Sequence, residues 1–164
     1  MTLNEQQRMI QETARRFAQT EIVPHLKEFE AHGVSKKLIK KLGQAGLMGI
    51  CIDPEWGGAG ADFVSYVLAM EEISAADGGI ANLMAANNSP VLAALNDHGT
   101  QAQKERFFPG LTSGEMIGCF ALTEPHTGSD AAAITTPRSI SLTRSSMARG
   151  SSLPSAIVTT RMGA

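Results

Sequence analysis

Residues 120–130 read FALTEPHTGSD, and they mark the boundary between two kinds of sequence in this chain. The run MIGCFAL at 116–122 is short and apolar, which predicts a strand that ends in this stretch. Pro125 fixes a turn, and Gly128 lets the backbone approach a ligand closely. Ser129 and the neighbouring amides can donate hydrogen bonds to an anionic oxygen, as turn amides do for phosphates. The stretch therefore predicts a strand and then a loop suited to a phosphate-bearing ligand.

The residues before this strand carry the spacing of a helix bundle. Four helix starts are marked by side chains that can cap a helix N-terminus: Thr2 with Glu5, Ser35, Asp62, and Thr100 with Gln103. We expect Gly78-Gly79 to interrupt the helix that Asp62 begins. We expect Pro90 to kink the apolar stretch 80–95 or to lie near a helix start. The pattern predicts a mainly α fold of about five helices with short connections.

The overall composition excludes several classes of protein. Hydrophobic residues make up 43% of the chain and charged residues 18%, which predicts a packed core. The net charge of −2 gives no basic field for nucleic acid. Cys51 and Cys119 suit neither a disulfide framework nor a zinc site. No apolar run approaches a membrane span and no signal peptide is visible, so we expect a cytoplasmic protein with no nucleic-acid or membrane partner.

The last 28 residues, 137–164, differ from the rest of the chain. They hold four arginines and ten Ser or Thr, but no Asp, Glu, Lys or aromatic residue. Without aromatic residues or a sustained apolar period, burial cannot offset the entropy lost on ordering, so we expect this tail to be disordered. The change at Pro137 is typical of a shifted reading frame or a truncated gene product, although a natural polar linker would have a similar composition.

Two motifs in the chain resemble those of acyl-CoA dehydrogenases. TEPxxGSD at 123–130, preceded by FAL, resembles the flavin-contact motif of that family, and PEWGGxG at 54–60 is similar to a turn in its N-terminal helical domain. The resemblance covers residues 1–136. One departure is Thr127, where the family usually has Gly or Ala.

The resemblance implies a division of the chain into three parts. Residues 1–115 would be the N-terminal helical domain, a helical bundle, and residues 116–136 the first strand and loop of the middle β-barrel domain. Residues 137–164 would be an aberrant, disordered tail. The whole family protein adds a C-terminal four-helix bundle and is usually a homotetramer.

The resemblance also implies a reaction. Members of the family are FAD-dependent oxidoreductases that dehydrogenate acyl-CoA thioesters between the α- and β-carbons, in fatty-acid or branched-chain amino-acid catabolism. A Glu of the C-terminal domain removes the α-proton, a hydride passes to FAD, and an electron-transfer flavoprotein is the usual acceptor. Because that Glu lies in a domain outside the resemblance, the chain alone is expected to be inactive, with no catalytic residue and no metal ligand.

Five residues are implied to bind the cofactor. Phe120, Leu122 and Thr123 would line the flavin ring, while Gly128 and Ser129 would approach the flavin side chain. Ser129 would also contact the CoA part of the substrate. These are positioning roles, since the redox chemistry belongs to the cofactor.

Two other functions remain open, and several side chains have plain structural interpretations. Flavin oxidases and monooxygenases reuse the same fold, and a non-catalytic helical remnant would need no cofactor at all. His126 is expected to be a solvent-facing loop residue and not a catalytic base. Cys119 is expected to be a small buried hydrophobe, and Trp56 a packing anchor.

Overall fold

The computed structural model describes residues 2–120, 123, 125–130 and 133 with their side chains, and residues 139–143 and 155–159 as backbone. Within these ranges lie seven α-helices: α1 (Glu5–Phe17), α2 (Leu26–His32), α3 (Lys36–Gln44), α4 (Phe63–Ala76), α5 (Gly78–Ala86), α6 (Ala93–His98) and α7 (Gln101–Thr112). The π-helical segments Ala18–Ile22 and Asn87–Leu92 and the 3-10 turns Val23–His25 and Pro54–Trp56 extend or connect them. The prediction of a mainly α fold is confirmed. The helices outnumber the expectation because π and 3-10 segments divide longer helical stretches.

The first helix begins later than the sequence analysis expected. Its N-cap is Asn4, whose side chain accepts from the Gln7 N–H at 2.8 Å, while Gln7 Oε1 accepts from the Asn4 N–H at 3.0 Å. The expected capping box of Thr2 and Glu5 is therefore wrong, because the same spacing recurs two residues later with Asn, a stronger cap than Thr. The other expected caps are confirmed: Ser35, Asp62, and Thr100 with Gln103.

The break between α4 and α5 falls on Asp77. Its backbone is extended, and its carboxylate accepts from the Ile80 N–H at 2.7 Å, so it caps α5. Gly78-Gly79 were expected to interrupt a helix but are the first residues of one. The capping carboxylate sets this boundary more strongly than the low helix propensity of glycine does. Pro90 lies within the π-helical segment Asn87–Leu92. Such a segment is the kind of helix distortion that a proline is expected to cause.

The helical unit, defined here as residues 5–112, has a core of two clusters. The larger joins α1, α3, α4 and α5 and includes the fully buried Leu42, and the smaller joins α6 and α7 around Phe108. Every buried hydrophobic side chain among the described residues lies between Ile10 and Leu111. The helical unit therefore holds the hydrophobic core of the described chain. None of the described helices has the length and apolar character needed to cross a membrane.

Helices α1 and α4 are also joined by charged and polar groups. Gln7 Nε2 donates to Asp62 Oδ2 at 2.7 Å, and the Arg15 guanidinium donates to both oxygens of Glu72 at 2.7 and 3.0 Å. The Arg15 hydrogen bond lowers the pKa of Glu72. Hydrogen bonds from the N–H and O–H of Ser65, and then from Gln7, lower the pKa of Asp62. Both carboxylates are therefore stabilised in their charged form.

Helix α3 meets the end of α7 backbone to backbone. A Cβ atom on Gly43 would lie 2.1 Å from the carbonyl oxygen of Ser113, so no side chain fits at this position. Beside this contact, Lys40 Nζ pairs with Glu115 Oε1 at 2.7 Å. The end of α7, and with it the start of the strand region, is thus fixed against α3.

Three short strands follow the helical unit: β1 (Ile117–Phe120), β2 (Ser139–Thr143) and β3 (Ser155–Thr159). They form one sheet in the order β1-β3-β2, in which β3 is parallel to β1 and antiparallel to β2. The expectation of a disordered tail does not describe these ten residues of β2 and β3. Their sequences SISLT and SAIVT include β-branched residues, and pairing satisfies their backbone groups. The other tail residues lie outside the described chain.

Candidate functional site

Strand β1 carries the chain from the helical unit to the candidate loop, residues 123–130. Phe120, the last residue of β1, is half-buried and packs against the smaller core cluster around Phe108. The predicted flavin contact Phe120 therefore lies where the strand meets the helices. Leu122 and Glu124 lie outside the described residues.

The candidate loop is closed by its own hydrogen bonds. Thr127 is buried, and its Oγ1 donates to the carbonyl oxygen of Asp130 at 2.6 Å. The same carbonyl accepts from the Ala133 N–H at 3.1 Å, and the His126 ring lies 3.3 Å from the Ala133 carbonyl oxygen. A carbonyl that accepts two hydrogen bonds fixes the shape of the turn, so the loop is a defined structure.

Two of the predicted site residues are brought together in this loop. A Cβ atom on Gly128 would lie 3.5 Å from Thr123 Cγ2 and 3.8 Å from Thr123 Oγ1. Thr123 and Ser129 are exposed, which leaves two hydroxyl groups beside the Gly128 backbone at the surface of the loop. Hydroxyl donors beside an accessible glycine backbone suit the polar edge or the phosphates of a flavin nucleotide.

Glycine is present in the two sequence motifs for different physical reasons. In the 54–60 turn, Gly57 has φ +80°, and a Cβ atom on Gly58 would lie 2.0 Å from the Ile52 carbonyl oxygen. The fold itself requires both of these glycines. Gly128 is not among the residues with positive φ, and a Cβ atom there would make only ordinary contacts with described residues. An external group that approaches its backbone would supply the reason for Gly128.

The 54–60 turn is fixed by packing around its aromatic residue. The Trp56 ring lies 5.5 Å from that of Phe108, centroid to centroid, and the Trp56 carbonyl oxygen accepts from Thr112 Oγ1 at 2.9 Å. These contacts agree with the interpretation of Trp56 as a packing anchor. The turn is therefore a part of the scaffold, and the candidate loop is the better site for a ligand.

Two side chains near the loop differ from what the sequence suggested. Cys119 was expected to be buried but is exposed: it lies on β1, an edge strand of the sheet, and its side chain belongs to neither core cluster. Partial burial nevertheless raises the pKa of its thiol, which disfavours the reactive thiolate. Thr127, a departure from the family motif, holds the loop together through its hydroxyl. This role of Thr127 was not predicted from the sequence, although a Thr side chain that bonds a nearby carbonyl is a known turn device. His126 is exposed, as expected.

The described residues offer little to a metal ion. No group of three or more His, Cys, Asp or Glu side chains is gathered anywhere in that part of the chain. The groups that the candidate loop and its strand offer to a ligand are hydroxyls, backbone amides and the aromatic ring at the end of β1.

Comparisons with known proteins agree with this architecture. Residues 4–115 match the family model for the N-terminal domain of acyl-CoA dehydrogenases. The chain is 38% identical over 132 residues to a short-chain specific acyl-CoA dehydrogenase of Clostridium acetobutylicum. The alignment covers 80% of this chain and 35% of that protein.

Two solved structures share the fold at substantial sequence identity. One, described as the electron transferring flavoprotein of Acidaminococcus fermentans, is 40% identical with a TM-score of 0.77, over 84% of this chain and 37% of that one. The other, a glutaryl-CoA dehydrogenase from Mycobacterium smegmatis in complex with FADH2, is 34% identical with a TM-score of 0.75, over 83% and 35%.

The seven described helices that lead into strand β1 form the architecture of an acyl-CoA dehydrogenase N-terminal domain. The chain belongs to the acyl-CoA dehydrogenase family, since the family model covers most of its length. It spans about a third of the length of the curated relative described above.

Proposed function

We propose that this chain is the N-terminal, flavin-contacting part of an FAD-dependent acyl-CoA dehydrogenase, which oxidises an acyl-CoA thioester between its α- and β-carbons. FAD, when bound, supplies the hydride acceptor for that reaction. The observation that carries the proposal is the closed loop at the end of β1, with the exposed hydroxyls of Thr123 and Ser129 beside Gly128. The relative with FADH2 supports the choice of cofactor.

The proposal assigns a role to each part of the chain. Residues 1–115 form the N-terminal helical domain and residues 116–136 begin the middle β-domain, while residues 137–164 form a tail foreign to the family. Phe120, Leu122 and Thr123 line the flavin ring, and Gly128 and Ser129 approach the flavin side chain. Ser129 also contacts the CoA part of the substrate.

The partners proposed for the reaction follow from the family. An acyl-CoA thioester is the substrate, and the short-chain specificity of the Clostridium relative makes butyryl-CoA the first thioester to test. An electron-transfer flavoprotein is the proposed acceptor, which the likeness to the Acidaminococcus structure supports. The whole protein is proposed to be a homotetramer.

We expect this 164-residue polypeptide alone to lack turnover. Abstraction of an α-proton requires a carboxylate within hydrogen-bond reach of that carbon, on the face opposite the flavin. After β1 the sequence contains two carboxylates, Glu124 and Asp130, and both belong to the flavin-side loop. No residue of this chain is therefore assigned as the base.

Flavin binding is the direct test of the loop assignment. FAD is titrated against the purified chain, with flavin fluorescence as the readout. Gly128→Val places a branched side chain where the flavin nucleotide is proposed to contact the backbone of residue 128. We therefore expect the affinity for FAD to fall by at least about tenfold. Gly78→Val is the matched control, because Gly78 is exposed and a Cβ atom there has nothing within 4 Å. Equal FAD affinity in the wild type and the Gly128 variant would sink the assignment.

Turnover is measured separately with excess FAD, an artificial electron acceptor and a panel of straight and branched acyl-CoA thioesters. We expect no rate above that of free flavin. A rate above this background would show that a carboxylate of this chain reaches the α-carbon. Tight FAD binding without turnover is the combination that the proposal expects.

A further inference from the structure

The helical unit reaches β1 through a buried pair of asparagines. Asn87 and Asn88 begin the π-helical segment Asn87–Leu92, and both side chains are buried, at 0% and 9% exposure. Two consecutive amides inside an apolar core are costly unless every donor and acceptor is paired. π-helical segments are rare and recur at functional sites, so the partners of these amides identify what the segment does.

The Asn88 amide serves the helical unit alone. Its Nδ2 donates to the carbonyl oxygens of Leu47 and Met84 at 2.9 and 3.0 Å. Its Oδ1 accepts from the Ile50 N–H at 2.8 Å. Asn88 therefore fixes the turn that contains Ile50 and Cys51.

The Asn87 amide connects the helical unit to the strand. Its Nδ2 donates to the carbonyl oxygens of Met48 and Leu111 at 2.8 and 3.2 Å, and its Oδ1 accepts from the Gly118 N–H at 3.0 Å. Gly118 is the second residue of β1, and its N–H is thus paired with a side chain. A neighbouring strand would be the usual partner for such a group.

The same π-helical segment also touches Gly118 by packing. A Cβ atom on Gly118 would lie 2.4 Å from Val91 Cγ1, so the strand backbone lies directly on the segment. Phe120, two residues further on, ends β1, and the candidate loop begins at Thr123. Whatever holds Gly118 therefore sets the place from which the loop projects.

We infer that Asn87 is a positioning residue for the flavin-side loop. Its amide fixes β1 to the helical unit, and through β1 it fixes Thr123, Gly128 and Ser129 relative to the helices. Asn88 performs the same task for the 50–52 turn and has no part in placing the loop. The link from β1 to flavin rests on the proposed function, whereas the link from Asn87 to β1 stands on the contacts alone.

The chain contains one cysteine beside the backbone N–H group that each of these asparagine side chains binds. Cys119 follows Gly118 directly, Cys51 follows Ile50 directly, and both thiols are exposed. The rate of alkylation of each thiol by iodoacetamide, followed by mass spectrometry, therefore reports the local freedom of β1 and of the 50–52 turn separately. The variants are Asn87→Leu and its matched control Asn88→Leu. Each replaces one buried amide side chain with an apolar side chain of nearly the same size.

The expected result is a crossover. Asn87→Leu speeds alkylation of Cys119 by about three- to tenfold and leaves Cys51 within about twofold, and Asn88→Leu does the reverse. Loss of packing in general would speed both thiols in both variants, and that result would overturn the inference. Unchanged Cys119 reactivity in Asn87→Leu would overturn it as well.

FAD titration of the same variants tests the loop. Asn87→Leu is expected to weaken FAD binding by at least about tenfold, and Asn88→Leu by less than about twofold. If the wild-type chain binds no FAD, the proposed function fails for this chain, and the thiol crossover still decides the role of Asn87 at β1. A freed Cys119 with unchanged FAD affinity would refute the positioning of the loop.

A measurement on the wild-type chain covers the case in which Asn87→Leu does not fold. Amide hydrogen exchange by NMR is expected to show the Gly118 N–H as slow as the buried amides of α4. Rapid exchange of the Gly118 N–H would contradict its hydrogen bond to Asn87 and overturn the inference without any substitution.

Discussion

The helical unit and the three-stranded sheet are held together by different interactions. The helical unit buries large side chains in two clusters, and its helix ends are capped by Asn4, Ser35, Asp62, Asp77 and Thr100. The sheet consists of strands of four or five residues that pair through their backbones. Strands of this length are marginally stable by themselves, so we expect their pairing to contribute much less to stability than the helical core does. The difference teaches that the candidate loop depends on the helices for its position.

The largest effect is expected from a hole in the helical core. Phe108→Ala removes a fully buried ring that also contacts Trp56, and we expect a loss of about 3–5 kcal/mol in the free energy of unfolding. Phe63→Ala is the matched control, because that ring is 65% exposed, and we expect a change within about 0.5 kcal/mol. Urea unfolding followed by circular dichroism measures both. Similar losses in the two variants would refute the distinction between core and surface.

A smaller effect is expected at the contact between α3 and α7. Gly43→Ala forces a methyl group against the Ser113 carbonyl, and we expect a loss of about 1–3 kcal/mol. Gly78→Ala adds the same methyl group where nothing lies within 4 Å, and we expect it to be neutral or to stabilise by up to about 1 kcal/mol. Thermal unfolding separates the two. A neutral Gly43→Ala would show that α3 and α7 can move apart freely.

The pH dependence of stability tests the Asp62 carboxylate, which caps α4 by accepting from Ser65 and also accepts from Gln7 of α1. The folded-state pKa of Asp62 lies below its unfolded value, so its stabilisation is present above the unfolded pKa and is lost as the pH falls through the folded pKa. We expect Asp62→Asn to be less stable than the wild type at neutral pH, with the difference shrinking below about pH 4. Ser65→Ala removes one donor to this carboxylate and is expected to give part of the change. A difference that is constant with pH would contradict the assignment.

The smallest effect is expected from the tail. A chain that ends at residue 136 is expected to retain its helical circular dichroism and to unfold within about 0.5 kcal/mol of the full chain. In the full chain, trypsin is expected to cut first at the tail arginines, Arg138, Arg144, Arg149 and Arg161. A large loss of stability on removal of the tail would show that the sheet supports the helices, which reverses the comparison.

The parts of the fold that were predictable from sequence are those with local causes. Ser35, Asp62 and Thr100 cap their helices within three residues of their own position, so spacing alone identifies them. The first cap was misplaced because two overlapping patterns fit the same rule, and Asn4 is the stronger cap of the two. The helix break was placed at Gly78-Gly79 and not at Asp77 for a related reason. Glycine disfavours a helix, but the Asp77 cap starts one there.

The place of the candidate loop along the chain was predictable from the sequence, but the contacts that hold the loop were not. The TEPxxGSD motif locates the loop, because its turn residues and its glycine are local signals. The packing of Phe120 on the smaller cluster and the bond from Asn87 to Gly118 join residues far apart in sequence. Nothing in a run such as ANNSP tells which carbonyls its amides will meet; two asparagines before a proline in an apolar stretch are the available signal.

The Asn87 amide has a consequence for the order in which the chain folds during synthesis. Its three partners lie 39 residues before it and 24 and 31 residues after it, so the network is strongly non-local. Contacts of this kind form late, because the intervening chain must first be brought together. On the ribosome Met48 is available first, Leu111 follows, and Gly118 is the last to emerge. We therefore expect the nascent chain to assemble its helical interior before the strand that carries the loop is attached to it.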